Sequence, residues 1–143
     1  MDINRHAPVV SRHEIIVNAP AETVWAAHSR IDEWPRWQLD ITRAALAGSL
    51  AAGSTFSWAT AGLDIVSTID DVEAPRRIAW HGETNGILGI HVWTFSPHQD
   101  GTVVVTEESW EGAALPPDVG ELKRALDTSL ERWLSLLKTH AEG

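Results

Sequence analysis

Residues 87–110, ILGIHVWTFSPHQDGTVVVTEESW, join two runs of β-branched and aromatic residues around Gln99-Asp100-Gly101, whose Asp-Gly pair is a strong hairpin signal. The spacing predicts neighbouring antiparallel strands over 87–96 and 102–110. Strand alternation puts His91, Trp93 and Phe95 on one face and Ile90, Val92 and Thr94 on the other. In the second run Val104, Thr106, Glu108 and Trp110 share a face, opposite Val103, Val105, Glu107 and Ser109. Three rings suit a covered side, so His91, Trp93 and Phe95 are expected to face inward. A bulge near Gly82 or Gly89 would exchange the faces.

Upstream, residues 41–47, 54–60, 63–72 and 77–83 also read as extended. Glycines at or near their ends suit an antiparallel meander that bends into a curved sheet. Phe56, Trp58 and Thr60 form one single-face set and Ile78, Trp80 and Gly82 another, with Arg77 and His81 in the opposite, solvent-facing register. Before the meander, residues 13–18 form a first strand. Ala19-Pro20-Ala21-Glu22 then starts a short helix through Val24, Trp25 and His28, with Pro20 in the first turn and Glu22 near the positive end of the dipole. Pro35 disfavours helical geometry at Trp34, so a second brief helix or turn must lead into the sheet.

Downstream of Pro116-Pro117 the period changes. Val119, Leu122, Leu126, Leu130, Trp133 and Leu137 recur at spacings of three and four and line one face of a helix reaching about His140. Asp118 and Glu121 resemble a capping pair. At ~1.5 Å per residue the helix is roughly 33 Å long, enough to cross the sheet. Small Ala125 and Ser129 lie beside its apolar stripe, and pointing inward they would leave space over the sheet.

Composition bears on what fills that space. The chain has 143 residues with eight tryptophans, no tyrosine, no cysteine and two phenylalanines. Indole surface this abundant suggests the wall of a cavity for an apolar guest. A formal charge of −9 repels phosphate backbones and anionic lipid heads, which argues against nucleic acid and membrane insertion. The absence of cysteine excludes disulfides, thiolate nucleophiles and Cys-based metal sites. Asp2, Arg5, His6 and Pro8 interrupt the start where a secretory signal would be apolar, and no run approaches the ~20 apolar residues of a membrane span. The expectation is a single cytoplasmic domain over residues 1–143, with its core at about 13–141. The oligomeric state stays open, a dimer included.

The order strand, two short helices, six-stranded meander and long C-terminal helix resembles the helix-grip fold of the START-like, Bet v 1-like (SRPBCC) superfamily, in its polyketide cyclase/dehydrase and lipid-transport branch. Asn18-Ala19-Pro20-Ala21-Glu22-Thr23-Val24-Trp25 resembles the family's opening, and Trp34-Pro35-Arg36-Trp37 its mouth segment. Residues 77–82, 86–93, 101–102 and 107–112 are similar to its central hairpins. The resemblance implies an α+β fold in which a curved antiparallel sheet wraps around the C-terminal helix.

The leading functional expectation is a binding protein or carrier for a small apolar, aromatic or polycyclic molecule held between sheet and helix. Its candidate contacts are Trp34, Trp37, Phe56, Trp58, Trp80, His91, Trp93, Phe95, Glu108, Trp110, Leu126, Ser129, Leu130 and Trp133. A second expectation is a cyclase/dehydratase in which His91 and Glu108 move protons. A third is an interaction module, with a filled interior and an exposed apolar patch. The seven histidines show neither HxH nor HExxH spacing, so no metal is expected, and no cofactor motif is present.

Overall fold

A computed structural model describes residues 1–143. Strand β1 (Val9–Val17) leads into helix α1 (Ala21–Ser29) and a 3₁₀ turn (Ile31–Arg36). Six strands follow: β2 (Ile41–Ala47), β3 (Thr55–Thr60), β4 (Leu63–Glu73), β5 (Arg77–Thr84), β6 (Ile87–His98) and β7 (Gly101–Glu111). Helix α2 (Gly120–Glu142) closes the chain. The strands form one antiparallel sheet in the order β1-β7-β6-β5-β4-β3-β2. This is the expected helix-grip arrangement.

Turn chemistry sets the register. Asn85 and Gly86 (φ 53° and 78°) join β5 to β6, and Ala61 and Gly62 (φ 51° and 77°) join β3 to β4. Paired left-handed residues match the twist of the strands they connect. The β6–β7 turn is centred on Gln99-Asp100, one residue ahead of the expected Asp-Gly pair, because His98 pairs with Gly101. Gly101 answers a different need, since a Cβ there would lie 2.6 Å from the Val17 carbonyl oxygen. The register through Gly82 and Gly89 is continuous, with shifts instead between Ile41 and Arg43 and between Ile69 and Asp71. His91, Trp93 and Phe95 therefore stay on the inner face.

Two boundaries move upstream. Strand β1 starts at Val9 rather than His13, its early alternation hidden in the sequence by buried Ser11. Ahead of it, residues 1–7 cross the outer face of the sheet, where Ile3 packs with Ala79, Ile90 and Val92. The Asn4 N–H donates to Ser109 Oγ at 3.0 Å, and Arg5 pairs with Glu107 at 2.8 Å. The packed region thus begins before the expected residue 13.

Helix α2 buries Leu126, Leu130, Trp133, Leu134 and Leu137. Ala125 and Ser129 lie on its exposed side, so they leave no space over the sheet, and Ser129, expected among the ligand contacts, faces away from the interior. The helical rotation that turns Leu126 and Leu130 inward turns their N-terminal neighbours out. The expected Asp118/Glu121 box is replaced by Asp118 Oδ1 accepting from the Gly120 N–H at 2.9 Å. Asp127 ties α2 to β1, accepting from Ser11 Oγ and lying 3.0 Å from His13 Nε2. Arg132 Nε donates to Asp40 at 2.7 Å, and Lys138 Nζ to the Ile16 carbonyl at 2.9 Å.

Candidate functional site

Five tryptophans converge between the sheet and α2. Trp133 descends from α2, its ring centroid 5.4 Å from Trp34, 6.0 Å from Trp58, 5.3 Å from Trp93 and 5.3 Å from His91. Trp34 packs edge-on to Phe56 at 5.5 Å and Trp58 at 5.8 Å, and its indole N–H donates to the His28 carbonyl at 2.7 Å. These separations are those of rings in contact. The hollow expected from the tryptophan inventory is occupied by the tryptophans themselves. Two concavities lie elsewhere: an open groove between α1 and the end of α2 (Glu22, Ala26, Arg30, His140), and one on the outer face of the sheet (Met1, Val66, His81, Leu88).

Within this apolar packing several polar atoms have no protein partner: both ring nitrogens of His28 and the indole N–H groups of Trp37, Trp93 and Trp133. The His28 ring is 4.4 Å from Trp93 and fully buried. Burial, with the charge of His91 second, pushes its pKa down to about 3, which keeps the imidazole neutral. Each unpaired buried donor or acceptor costs about 1–3 kcal/mol. Polar groups that break the rule of satisfaction in a well-packed interior mark a functional candidate.

Beside them runs a hydrogen-bonded line across β6 and β7. Cross-strand pairing sets His91 opposite Glu108 and Trp93 opposite Thr106. His91 Nδ1 lies 2.7 Å from Glu108 Oε1, and His91 Nε2 lies 2.7 Å from Thr106 Oγ1. The Trp110 indole N–H donates to Glu108 Oε2. A carboxylate only accepts, so a neutral His91 carries its proton on Nδ1 and accepts from the Thr106 hydroxyl at Nε2, whereas the imidazolium donates from both nitrogens. The arrangement can hold or relay a proton along Thr106, His91 and Glu108.

The structure brings Trp34, Phe56, Trp58, Trp80, His91, Trp93, Phe95 and Trp133 together. Glu108 and half-buried Trp110 stand at the edge of that group. Leu126 and Leu130 belong to a separate cluster with Val9, against which Trp110 also packs. Trp37, expected at a mouth, stacks on His140 at 5.5 Å. Trp34, expected beside it, is wholly interior. Sequence reading missed His28 and Thr106 as site residues. Their signals were present, since His28 follows Val24 by one helical turn and Thr106 alternates with Glu108.

A curved antiparallel sheet gripping one long helix defines the helix-grip class to which START and Bet v 1 proteins belong. Over residues 8–142 the chain matches the family described as polyketide cyclase / dehydrase and lipid transport, and it belongs to that family. Membership supports a ligand-binding or polyketide cyclase-like role. Among solved structures it is similar to the hypothetical protein jhp0584 from Helicobacter pylori (18% identity, 97% of this chain and 91% of that one, TM-score 0.82). It is also similar to a START superfamily protein from Mycobacterium smegmatis (16% identity, 93% and 97%, TM-score 0.80). The di-domain ARO/CYC BexL from the BE-7585A biosynthetic pathway aligns over 94% of this chain and 50% of its own length (19% identity, TM-score 0.77). At these identities the structural likeness concerns the fold. No curated protein matches the chain. No helix is long and apolar enough to cross a membrane.

Proposed function

We propose that the protein binds a small, largely apolar, aromatic or polycyclic molecule between the sheet and α2, the guest displacing interior rings. The observation that carries this reading is the set of unpartnered polar atoms on His28, Trp93 and Trp133, gathered where rings already pack as a guest would. A ligand with oxygen acceptors would pair the two indole N–H groups and recover part of the cost of burying them. Trp58, Trp80, His91, Trp93 and Trp133 are the proposed contacts, with His28 added. Intrinsic tryptophan fluorescence, titrated with flavonoids, polyketide mimics and fatty acids, tests the reading. Saturable change with an aromatic probe supports it; no response to any hydrophobic probe contradicts it.

A cyclase/dehydratase is the second reading, favoured by the 2.7 Å contact of His91 with Glu108. The ARO/CYC relative shares the fold in which such a pair would work. His91→Ala or Glu108→Gln variants turning over a poly-β-keto substrate as fast as the parent would remove it. An interaction module finds less support. The filled interior is what it expects, but exposed Ile16 on β1 is separated from Leu63 and Val66 on β4 by β5, β6 and β7, and Met1 joins Val66 in the outer-face concavity.

A further inference from the structure

We infer that Thr106, His91 and Glu108 form an acyl-accepting site for small aryl esters, with Thr106 Oγ as the nucleophile. A hydroxyl becomes nucleophilic when a base within hydrogen-bond reach takes its proton and a third group fixes the base. All three conditions are met on two adjacent strands. Thr106 Oγ1 is 2.7 Å from His91 Nε2, and His91 Nδ1 is 2.7 Å from Glu108 Oε1. The second carboxylate oxygen is held by the Trp110 indole N–H, so Glu108 cannot swing away without losing that bond as well. In the neutral imidazole the same network puts the proton on Nδ1 and leaves Nε2 to receive the Thr106 proton, as base catalysis needs.

The surroundings hold two candidate donors. Charge on a carbonyl oxygen under attack needs donors already in place. Trp93 and Trp133 each carry an indole N–H without a protein partner, from rings centred 5.4 Å and 5.3 Å from the His91 imidazole. Trp93 is also the cross-strand partner of Thr106. In the first step Thr106 Oγ bonds to the acyl carbon as its proton passes to His91 Nε2. The bond to the leaving aryl oxygen then breaks, and that oxygen takes the proton from His91. In the second step water, giving its proton to His91, attacks the acyl carbon. The bond to Thr106 breaks, its oxygen recovers the proton, and the carboxylic acid departs.

The inference rests on the binding reading above, because Thr106 is fully buried and an ester reaches it only by the same displacement of rings. The test uses p-nitrophenyl acetate on the intact chain, with nitrophenolate release followed by absorbance and the acetyl group located by peptide mass spectrometry. Acetyl is expected on Thr106, with release retained in Thr106→Ser and reduced about 100-fold or more in the near-isosteric Thr106→Val. Thr128→Val, on the exposed side of α2, should match the parent. Acetyl confined to lysines, or Thr106→Val releasing nitrophenolate at the parental rate, overturns the inference. The mapping, on parent protein stopped with acid while nitrophenolate is being released, decides the matter even should a variant fail to fold. Binding is scored separately by indole quenching with p-nitrophenyl ethyl ether, which cannot acylate. Quenching without acetyl on Thr106 removes the acyl-accepting site alone, whereas no quenching and no acetyl remove the binding reading too.

Discussion

His28 and Trp133 set the character of the interior at the scale of single residues. In the folded chain burial holds the His28 pKa at about 3, whereas an unfolded imidazole takes a proton below its ordinary 6.5. Between those values the unfolded state binds more protons, so stability falls with falling pH, by at most about 1.4 kcal/mol per pH unit. Replacing His28 with Phe removes both the unpaired nitrogens and this proton linkage. Urea unfolding at pH 7 and pH 5 should show a smaller loss for the variant than for the parent, and an unchanged loss would contradict the assignment. Trp133→Ala deletes the ring at the centre of the cluster and should cost about 3–5 kcal/mol. Added indole should restore part of the melting temperature by occupying the space, and no recovery would mean that the cluster closes over the gap. Alternation put His91, Trp93 and Phe95 on one face and their three rings chose the covered side, while helical spacing turned Trp133 inward. What alternation cannot convey is summed volume. Each indole was legible as a wall, but only their mutual contacts show that the walls meet.

At the scale of elements, α2 is joined to β1 through Asp127. Its partial burial alone would raise the carboxyl pKa, but hydrogen bonds from Lys123, Ser11 and His13 outweigh that and bring it down to about 2. A folded pKa below the ordinary 3.8 means that this contribution is present above that value and is lost as pH falls toward about 2. Asp127→Asn should therefore destabilise the protein at pH 7 by about 1–2 kcal/mol and narrow its gap to the parent below pH 4. Hydrogen exchange should quicken in the first turns of α2, and unchanged exchange would show that apolar packing alone seats the helix. Gly101→Ala is expected to be destabilising, since its Cβ would meet the Val17 carbonyl at 2.6 Å and push β7 from the end of β1. A thermal melt matching the parent would contradict this. The strand runs of the meander and the length of α2 were legible because each kind of element has its own period. The start of β1 was not, because Ser11 owes its burial to Asp127, a partner 116 positions away. The Asp-Gly pair misplaced the β6–β7 turn by one residue, because Gly101 is required for its close approach to Val17 rather than for turn geometry.

For the whole molecule, nineteen buried residues drawn from both helices, the 3₁₀ turn and every strand form one contiguous cluster. A guest that enters it binds the folded chain and not the unfolded one, so saturating ligand should raise the melting temperature, by about 2.7 kcal/mol of stability at a hundredfold excess over Kd. The outer face contributes a smaller cluster under residues 1–7, which the charged and polar start of the chain concealed. The interior is the central claim, and the indole N–H region of a ¹⁵N-correlated NMR spectrum reports on it directly, with eight tryptophan signals to follow. On titration with a neutral aromatic ketone or flavonoid, the Trp93 and Trp133 signals should shift saturably while Trp37, stacked on His140 outside the centre, stays in place. Indole signals that remain fixed with every aromatic probe would show that the interior admits no guest.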